Sequence, residues 1–315
     1  MRGQIHAVVL TYNRRDLLLQ NLTALSQQTR PLDKILILDN GSTDGTPEAV
    51  GALALPNVVY KRLEQNIGVA RGFIAAVQSA FEDPAADWIW LMDDDMVPNE
   101  SALKELVSAF DRNFSSPDQI GFLMSQAVDG TGRAVNVPTI DPRPPSVHEA
   151  PGWGRLLDQG IVGIMQASLV ALLIPRSTYE TFGNLNPEFV VWGEDADFTS
   201  RICEKRPGLL VGTSKVTHLR AKPGELSIFT EDDPRRVQQF YYLYRNMLYL
   251  RRRFVGPHAY VSGIVRFSTD VSRLAWRGQW KKASIAARGI LAGLTFNPRP
   301  PAPPPPAAPA PPSLF

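Results

Sequence analysis

Short apolar runs alternate with longer amphipathic ones through the first half of this chain. Residues 4–10 (QIHAVVL) and 33–39 (DKILILD) are compact and rich in β-branched and leucine side chains, as strands buried on both faces are. Between them, residues 14–28 (RRDLLLQNLTALSQQ) space their leucines for a helix lying on a sheet. Residues 57–63 (NVVYKRL) predict a third strand, 68–81 a helix, 87–93 (DWIWLMD) a fourth strand and 101–113 another helix. Strands alternating with helices predict an α/β fold, a mainly parallel sheet with helices on both faces. Ligands of such sheets bind beyond the carboxyl ends of the strands. Asp39 and Asp93 both fall there.

The second half is less regular. Residues 126–160, rich in Gly, Pro and Asp, predict loops, and 163–175 (GIMQASLVALLIP) a return to strand. Residues 194–205 predict a short helix and 208–219 a strand or hairpin. From Pro234 the pattern is helical to about residue 293. The proline-rich end, 298–315, predicts an extended or disordered tail that adds little to any core. The expected division is an α/β domain over 1–233, a helical segment over 234–297 and the tail over 298–315.

Composition adds three constraints. With 44% apolar and 20% charged residues, the 315-residue chain is of ordinary soluble globular type. Cys203, the single cysteine, excludes an intrachain disulfide framework and fits a reducing compartment. The N-terminus lacks the apolar core of a signal peptide, and no apolar run approaches the ~20 residues of a membrane span, so a cytoplasmic location is expected. The net charge of +2 conceals an asymmetry: Arg245 to Arg288 holds ten Lys or Arg against one acid, Asp270, leaving 23 basic and 30 acidic residues elsewhere. There Trp and Leu mix with cations, as in helices lying on an anionic membrane surface. A helix pair covering the sheet with solvated cations has the same composition. No motif accompanies the charge to indicate nucleic acid.

The candidate chemistry centres on residues 88–98, WIWLMDDDMVP, where a buried strand runs into Asp93, Asp94 and Asp95. Carboxylates at such a place need a partner. A solvated turn is one answer. Mg²⁺ or Mn²⁺ bridging carboxylates to substrate phosphates is the other. Neither G-x-x-x-x-G-K-[ST] nor a G-x-G-x-x-G after the first strand is present, which argues against a P-loop or dinucleotide site.

VVLTYNR (8–14), ILDNGSTDGT (37–46), QNIGVARGF (65–73), WLMDDDMVP (90–98) and WGEDADF (192–198) stand in the order found in family 2 glycosyltransferases of the GT-A fold. The chain resembles that family over residues 8 to about 218. LMDDD, followed by WGEDADF, a TH and YRN, is most similar to the galactofuranosyltransferase branch, with rhamnosyltransferase-like relatives next. The resemblance implies a GT-A catalytic domain over 1–233, a nucleotide-sugar donor, Mn²⁺ or Mg²⁺, and a glycan or lipid-linked acceptor in cell-envelope polysaccharide synthesis. It implies that Asp39 reads a uracil or thymine edge, since a carboxylate accepts from a ring N–H; as a turn cap the same residue needs no ligand. Thr11, Tyr12 and Arg14 would hold the nucleotide, Arg14 at phosphate. Asn66, Gly68 and Arg71 would face the anion near a helix start, although small residues at a helix packing site read the same way. Asp93 would sit near the ribose or sugar and the metal, with Asp94 beside it. Asp95 and His218 would ligate the metal, whereas His6, His148 and His258 match nothing in the family.

An inverting transfer needs a carboxylate to take the acceptor hydroxyl's proton. The resemblance gives that role to Asp195. It gives Glu194 to the acceptor or to orienting the loop, Arg245 and Asn246 to the acceptor or the diphosphate, and Trp192 to a sugar face, where a buried anchor reads the same way, and it leaves Asp197 structural. UDP-galactofuranose is the first expectation for the donor and dTDP-rhamnose the second. A sugar nucleotidyltransferase would carry a Gly-rich loop where TYNRRD stands. A non-catalytic nucleotide-sugar-binding scaffold would have no need of intact Asp93, Asp95, Asp195 and His218.

Overall fold

The computed structural model describes residues 1–144, 152–219 and 226–305. The first half is β1 (Gln4–Thr11), α1 (Arg15–Ser26), β2 (Lys34–Asp39), α2 (Thr46–Ala52), β3 (Val58–Arg62), α3 (Val69–Phe81), β4 (Ala86–Asp93), β5 (Met96–Pro98) and α4 (Ala102–Asn113). Then come β6 (Phe122–Val128), β7 (Thr139–Ile140), β8 (Ile161–Gln166), β9 (Leu172–Pro175), α5 (Arg176–Phe182), α6 (Glu194–Cys203) and β10 (Gly208–His218). The chain ends in α7 (Pro234–Leu250), a π-helical turn over Arg251–Val255, α8 (Pro257–Trp276) and α9 (Trp280–Thr295).

One sheet runs β3-β2-β1-β4-β9-β6-β10-β8-β7, with β5 paired to β10. Its β3-β2-β1-β4 part is parallel, as the alternating pattern requires. Trp88, Ile89, Trp90, Leu91 and Met92 of β4 are all at most 1% exposed, which explains their unbroken apolar run. Beyond β4 the sheet is mixed. Strand β9 lies antiparallel to both β4 and β6, and β10 is parallel to β6 but antiparallel to β8 and β5.

Four features depart from the sequence pattern. The single strand expected over 163–175 is two, β8 and β9, separated by a turn in which Ala171 has φ 51°. The loop region expected from residue 126 begins inside β6 and includes β7; its residues 145–151, with His148, lie outside the described residues. The short elements α2, α5 and β5 were not expected. The tail's residues 298–305 have no regular structure but lie on the body: Asn186 Nδ2 donates to Arg299 O at 2.9 Å, and a Cβ at Gly183 would meet Pro301 O at 2.9 Å. Residues 306–315 lie outside the described residues.

The main core lies between the sheet and its helices, and α7, α8 and α9 pack on a second one of their own. A third cluster joins the two parts, with the rings of Phe189, Tyr249 and Phe296 each 5.7 Å from the other two.

Candidate active site

The chain order turns round between β1 and β4, the place where open α/β sheets bind ligands. Register sets Thr11 beside Asp39 and Leu10 beside Asp93, so three strand ends share one rim. Thr11 Oγ1 donates to Asp94 Oδ2 at 2.7 Å. Arg14 Nη1 donates to Asp94 Oδ1 at 3.2 Å and to Asp95 Oδ2 at 2.9 Å. The guanidinium, half-exposed, thus bridges two buried carboxylates. Burial outweighs it at Asp94, whose carboxyl is pushed up to about 6. Asp93 rises well above the usual range, from burial first and then from Asp95 and Asp94. Asp95 is held below it, because His218 and Arg14 outweigh its desolvation.

His218 arrives through a ladder. Strand β5 pairs antiparallel with the end of β10, setting His218 opposite Met96, and Leu219 N donates to Asp95 O at 2.8 Å. His218 Nε2 then lies 3.5 Å from Asp95 Oδ2. Its Nδ1 is 2.8 Å from Asn136 Oδ1, an acceptor for Nδ1–H, and the pairing holds the ring with Nε2 toward Asp95. A proton or a cation bridging Nε2 and Asp95 Oδ2 would satisfy both atoms at this spacing. Asp95 Oδ1, buried, has no hydrogen-bond partner among the described residues. The carboxylate oxygens suit Mn²⁺ or Mg²⁺ and the added imidazole nitrogen suits Mn²⁺, so these residues fit such an ion. No group of three or more metal-ligating side chains occurs among the described residues, so any such ion would take its other ligands from a substrate or water.

Facing this rim is the N-terminus of α6. Glu194 and Asp195 stand in its first turn, where the helix dipole favours acids. Glu194 Oε2 is buried without a partner among the described residues. Burial, reinforced by Asp195, pushes Glu194 up to about 8. Burial raises Asp195 as well, against the opposing hydrogen bonds of Ala196 N and the Ser168 side chain. Glu194 is also close enough to Asp93 to help raise it. Asp197 turns the other way, into a buried pair with Arg201 at 2.8 Å.

The loop entering α6 is strained: Val190, Trp192 and Gly193 have φ of 68°, 59° and 107°. Asn246, fully buried, holds it. Its Nδ2 reaches Phe189 O at 3.0 Å, Val191 O at 3.1 Å and Trp192 O at 2.7 Å. Arg245 donates to Asn246 Oδ1 at 2.9 Å and to Glu188 O at 2.5 Å, and its guanidinium lies 3.8 Å from the Phe296 ring centre. Trp192 packs edge-on against Phe240. The acceptor contacts expected of Arg245, Asn246 and Trp192 are therefore turned to this loop and to the α7 core.

The remaining residues are placed as follows. Asp39 is fully buried; Oδ1 accepts from Ser42 N at 2.8 Å and Oδ2 from the Tyr60 hydroxyl, so both oxygens already have partners. Asn66 Oδ1 accepts from Gly68 N at 2.8 Å, and Gly68, at φ 88°, is the residue that caps α3. Arg71 is exposed and Tyr12 is 42% exposed. Asn136, Tyr60 and Ser168 were not anticipated, and no sequence signal marks them.

Residues 7–123 match the family model described as Glycosyl transferase family 2. Over that stretch the chain matches a glycosyl transferase family 2 domain. Over 97 residues it is 36% identical to "Galactofuranosyltransferase GlfT1" of Mycolicibacterium smegmatis, covering 31% of this chain and 32% of that protein. The chain thus spans about a third of the length of the curated relatives it matches. Among solved structures it is similar to S. aureus TarS 1-349, at a TM-score of 0.58 and 15% identity over 91% of this chain and 81% of that one. It is similar also to the mannosyltransferase PcManGT from Pyrobaculum calidifontis, crystallised with GDP-Man and Mn²⁺ (TM-score 0.54, 16% identity, 94% and 88% covered). At these identities the likeness establishes the fold, GT-A. The family 2 match takes in Thr11, Arg14, Asp39 and the acidic triplet, and ends before Glu194, Asp195 and His218.

Proposed function

We propose that this protein is an inverting, metal-dependent glycosyltransferase that moves a sugar from a nucleotide sugar to a hydroxyl of a glycan or lipid-linked acceptor. The observation that carries the reading is Asp95, buried at the switch point with one oxygen unpartnered among the described residues and the other turned to His218 and Arg14. Similarity to a galactofuranosyltransferase favours UDP-galactofuranose as donor.

In this reading Asp95 and His218 hold Mn²⁺ or Mg²⁺, with Asp93 alongside. When bound, such an ion neutralises charge building on the departing nucleoside diphosphate. Arg14, half-exposed and already at the carboxylates, swings its guanidinium to the same phosphates. Thr11 keeps Asp94 oriented. Glu194 and Asp195 share a desolvated helix end, so one proton is retained between them at neutral pH. Asp195, the more hydrogen-bonded of the two, carries the negative charge and accepts the acceptor hydroxyl's proton. Glu194, protonated, donates to the acceptor and orients it. Attack from the face opposite the leaving diphosphate inverts the anomeric centre.

The test is a thermal-shift screen of UDP, dTDP, GDP and CDP, each with Mn²⁺ or with EDTA. Metal-dependent stabilisation by UDP is expected, and no shift with any nucleotide would refute the site. Asp195→Asn should abolish transfer and leave metal-dependent UDP binding intact; equal loss of both would remove Asp195 from the role of base.

A further inference from the structure

Helices α8 and α9 meet in a tight turn over residues 277–279, with Gly278 at φ 72°. Backbone bonds fix it: Gly278 N to Ala275 O and Gln279 N to Leu274 O, each 2.9 Å. Beneath it Leu274, Ala283, Ile285 and Ala286 anchor the pair in a buried core. Two tryptophans flank the turn on the outside. Trp276, ending α8, is 89% exposed, and Trp280, starting α9, is 69% exposed.

The surface continues along both helices. Val261 and Val265 fall on the Trp276 face of α8 by helical spacing, and Leu291 falls on the Trp280 face of α9; all three are exposed. Cations surround this face. Helices α8 and α9 and the turn between them carry Arg266, Arg273, Arg277, Lys281, Lys282 and Arg288 against one acid, Asp270. Among the described residues Arg273 and Lys281 make no ion pair, whereas Arg253 nearer the body is engaged by Glu204 at 2.6 and 2.9 Å. An apolar surface with Trp at its apex and cations around it, of which Lys282 meets Asp232 at 3.9 Å, has the composition of an interfacial membrane anchor. No described helix is long and apolar enough to cross a membrane, so attachment here is to the surface.

We propose that the α8–α9 turn docks the protein on a lipid bilayer with anionic headgroups. Trp276 and Trp280 enter the interface, and Arg273, Arg277 and Lys281 lie over the headgroup phosphates. The placement suits a lipid-linked acceptor. A cavity of about 470 Å³ is lined by Phe229, Phe240, Tyr244, Arg266, Phe267 and Arg273. Arg277 lies over its Phe229, and Phe240 touches Trp192, two residues before Glu194.

The experiment is flotation of the full chain with vesicles of phosphatidylcholine alone or mixed with phosphatidylglycerol. Binding to the mixed vesicles, weakened by salt, is expected. Trp276→Ala with Trp280→Ala should lower partitioning at least ~10-fold, and Arg273→Glu with Lys281→Glu should remove the preference for anionic lipid. The thermal midpoint should hold in both variants, since these side chains are exposed. Wild-type protein that ignores the mixed vesicles, or a double tryptophan variant that binds as well as wild type, overturns the proposal. So does a dimer, seen by light scattering, that the tryptophan variant splits, because the face would then belong to a second copy. None of these readings requires nucleotide or transfer, so failure here leaves the proposed reaction standing.

Discussion

Replacing Asn246 with alanine tests whether the strained approach to α6 is held from the helical segment. The carboxamide serves three carbonyls at 2.7–3.1 Å and accepts from Arg245. Its two N–H groups can satisfy two of those carbonyls fully. A buried acceptor left unpaired costs about 1–3 kcal/mol, so losing two costs about 2–6 kcal/mol. In a domain of this size each kcal/mol moves the thermal midpoint by roughly 2–4 °C, so a fall of roughly 4–24 °C is expected. Activity should fall further than stability suggests. Val190 and Trp192 sit at positive φ, at a cost on the order of 1–3 kcal/mol each, and a released loop relaxes. Relaxation carries Glu194 and Asp195 away from the rim. Calorimetry gives the midpoint, UDP titration with Mn²⁺ the binding, and a transfer assay kcat/KM. Expected are a lowered midpoint, near-normal UDP binding and a large drop in kcat. An unchanged midpoint, or transfer and binding lost in equal measure, would refute the clamp. Asn246→Asp, which keeps the acceptor for Arg245 but loses the donors, should resemble the alanine variant.

Arg14→Ala should strengthen Mn²⁺ binding to the free protein and weaken binding of UDP, since the guanidinium competes for Asp95 Oδ2 and then serves phosphate; calorimetric titration separates the two. Glu194 has an ordinary value of 4.5 and is raised to about 8 in the fold, so the unfolded chain binds fewer protons between those values. Stability contributed by keeping it neutral is present below pH 4.5 and is lost as pH rises toward 8, so Glu194→Gln should flatten that decline and raise the midpoint most at the alkaline end. Tyr60→Phe removes a donor from fully buried Asp39 and should cost about 1–3 kcal/mol in chemical denaturation, with an unchanged midpoint counting against the pairing.

The parallel half of the sheet was legible because burial on both faces writes itself as unbroken apolar runs, as in β4. The triplet was legible because three acids after such a run need a reason. The break between β8 and β9 was hidden: LVALLIP is apolar throughout, and the turn is made by Ala171 at a positive φ that no glycine announces. Strand β5 is three residues long and exists only through its partner on β10, a pairing local pattern does not carry. YRN drew attention to Arg245 and Asn246, but where their side chains point depends on how α7 docks. Asp39 was noticed as a strand-end acid, while its closure by Tyr60 comes from a neighbouring strand.

The place of β10 in the sheet bears on how the molecule is made. β10 pairs with β5, β6 and β8, all of which precede it in the chain. During synthesis those three strands wait with open backbone edges until residues 208–218 have emerged. Such non-local pairing is slow to close. The first four strands can align early, but Asp95 does not meet His218 until β10 zips against β5. The Asp95–His218 contact therefore cannot form before β10 does, and a nascent chain halted before β10 would hold its acidic triplet without that histidine.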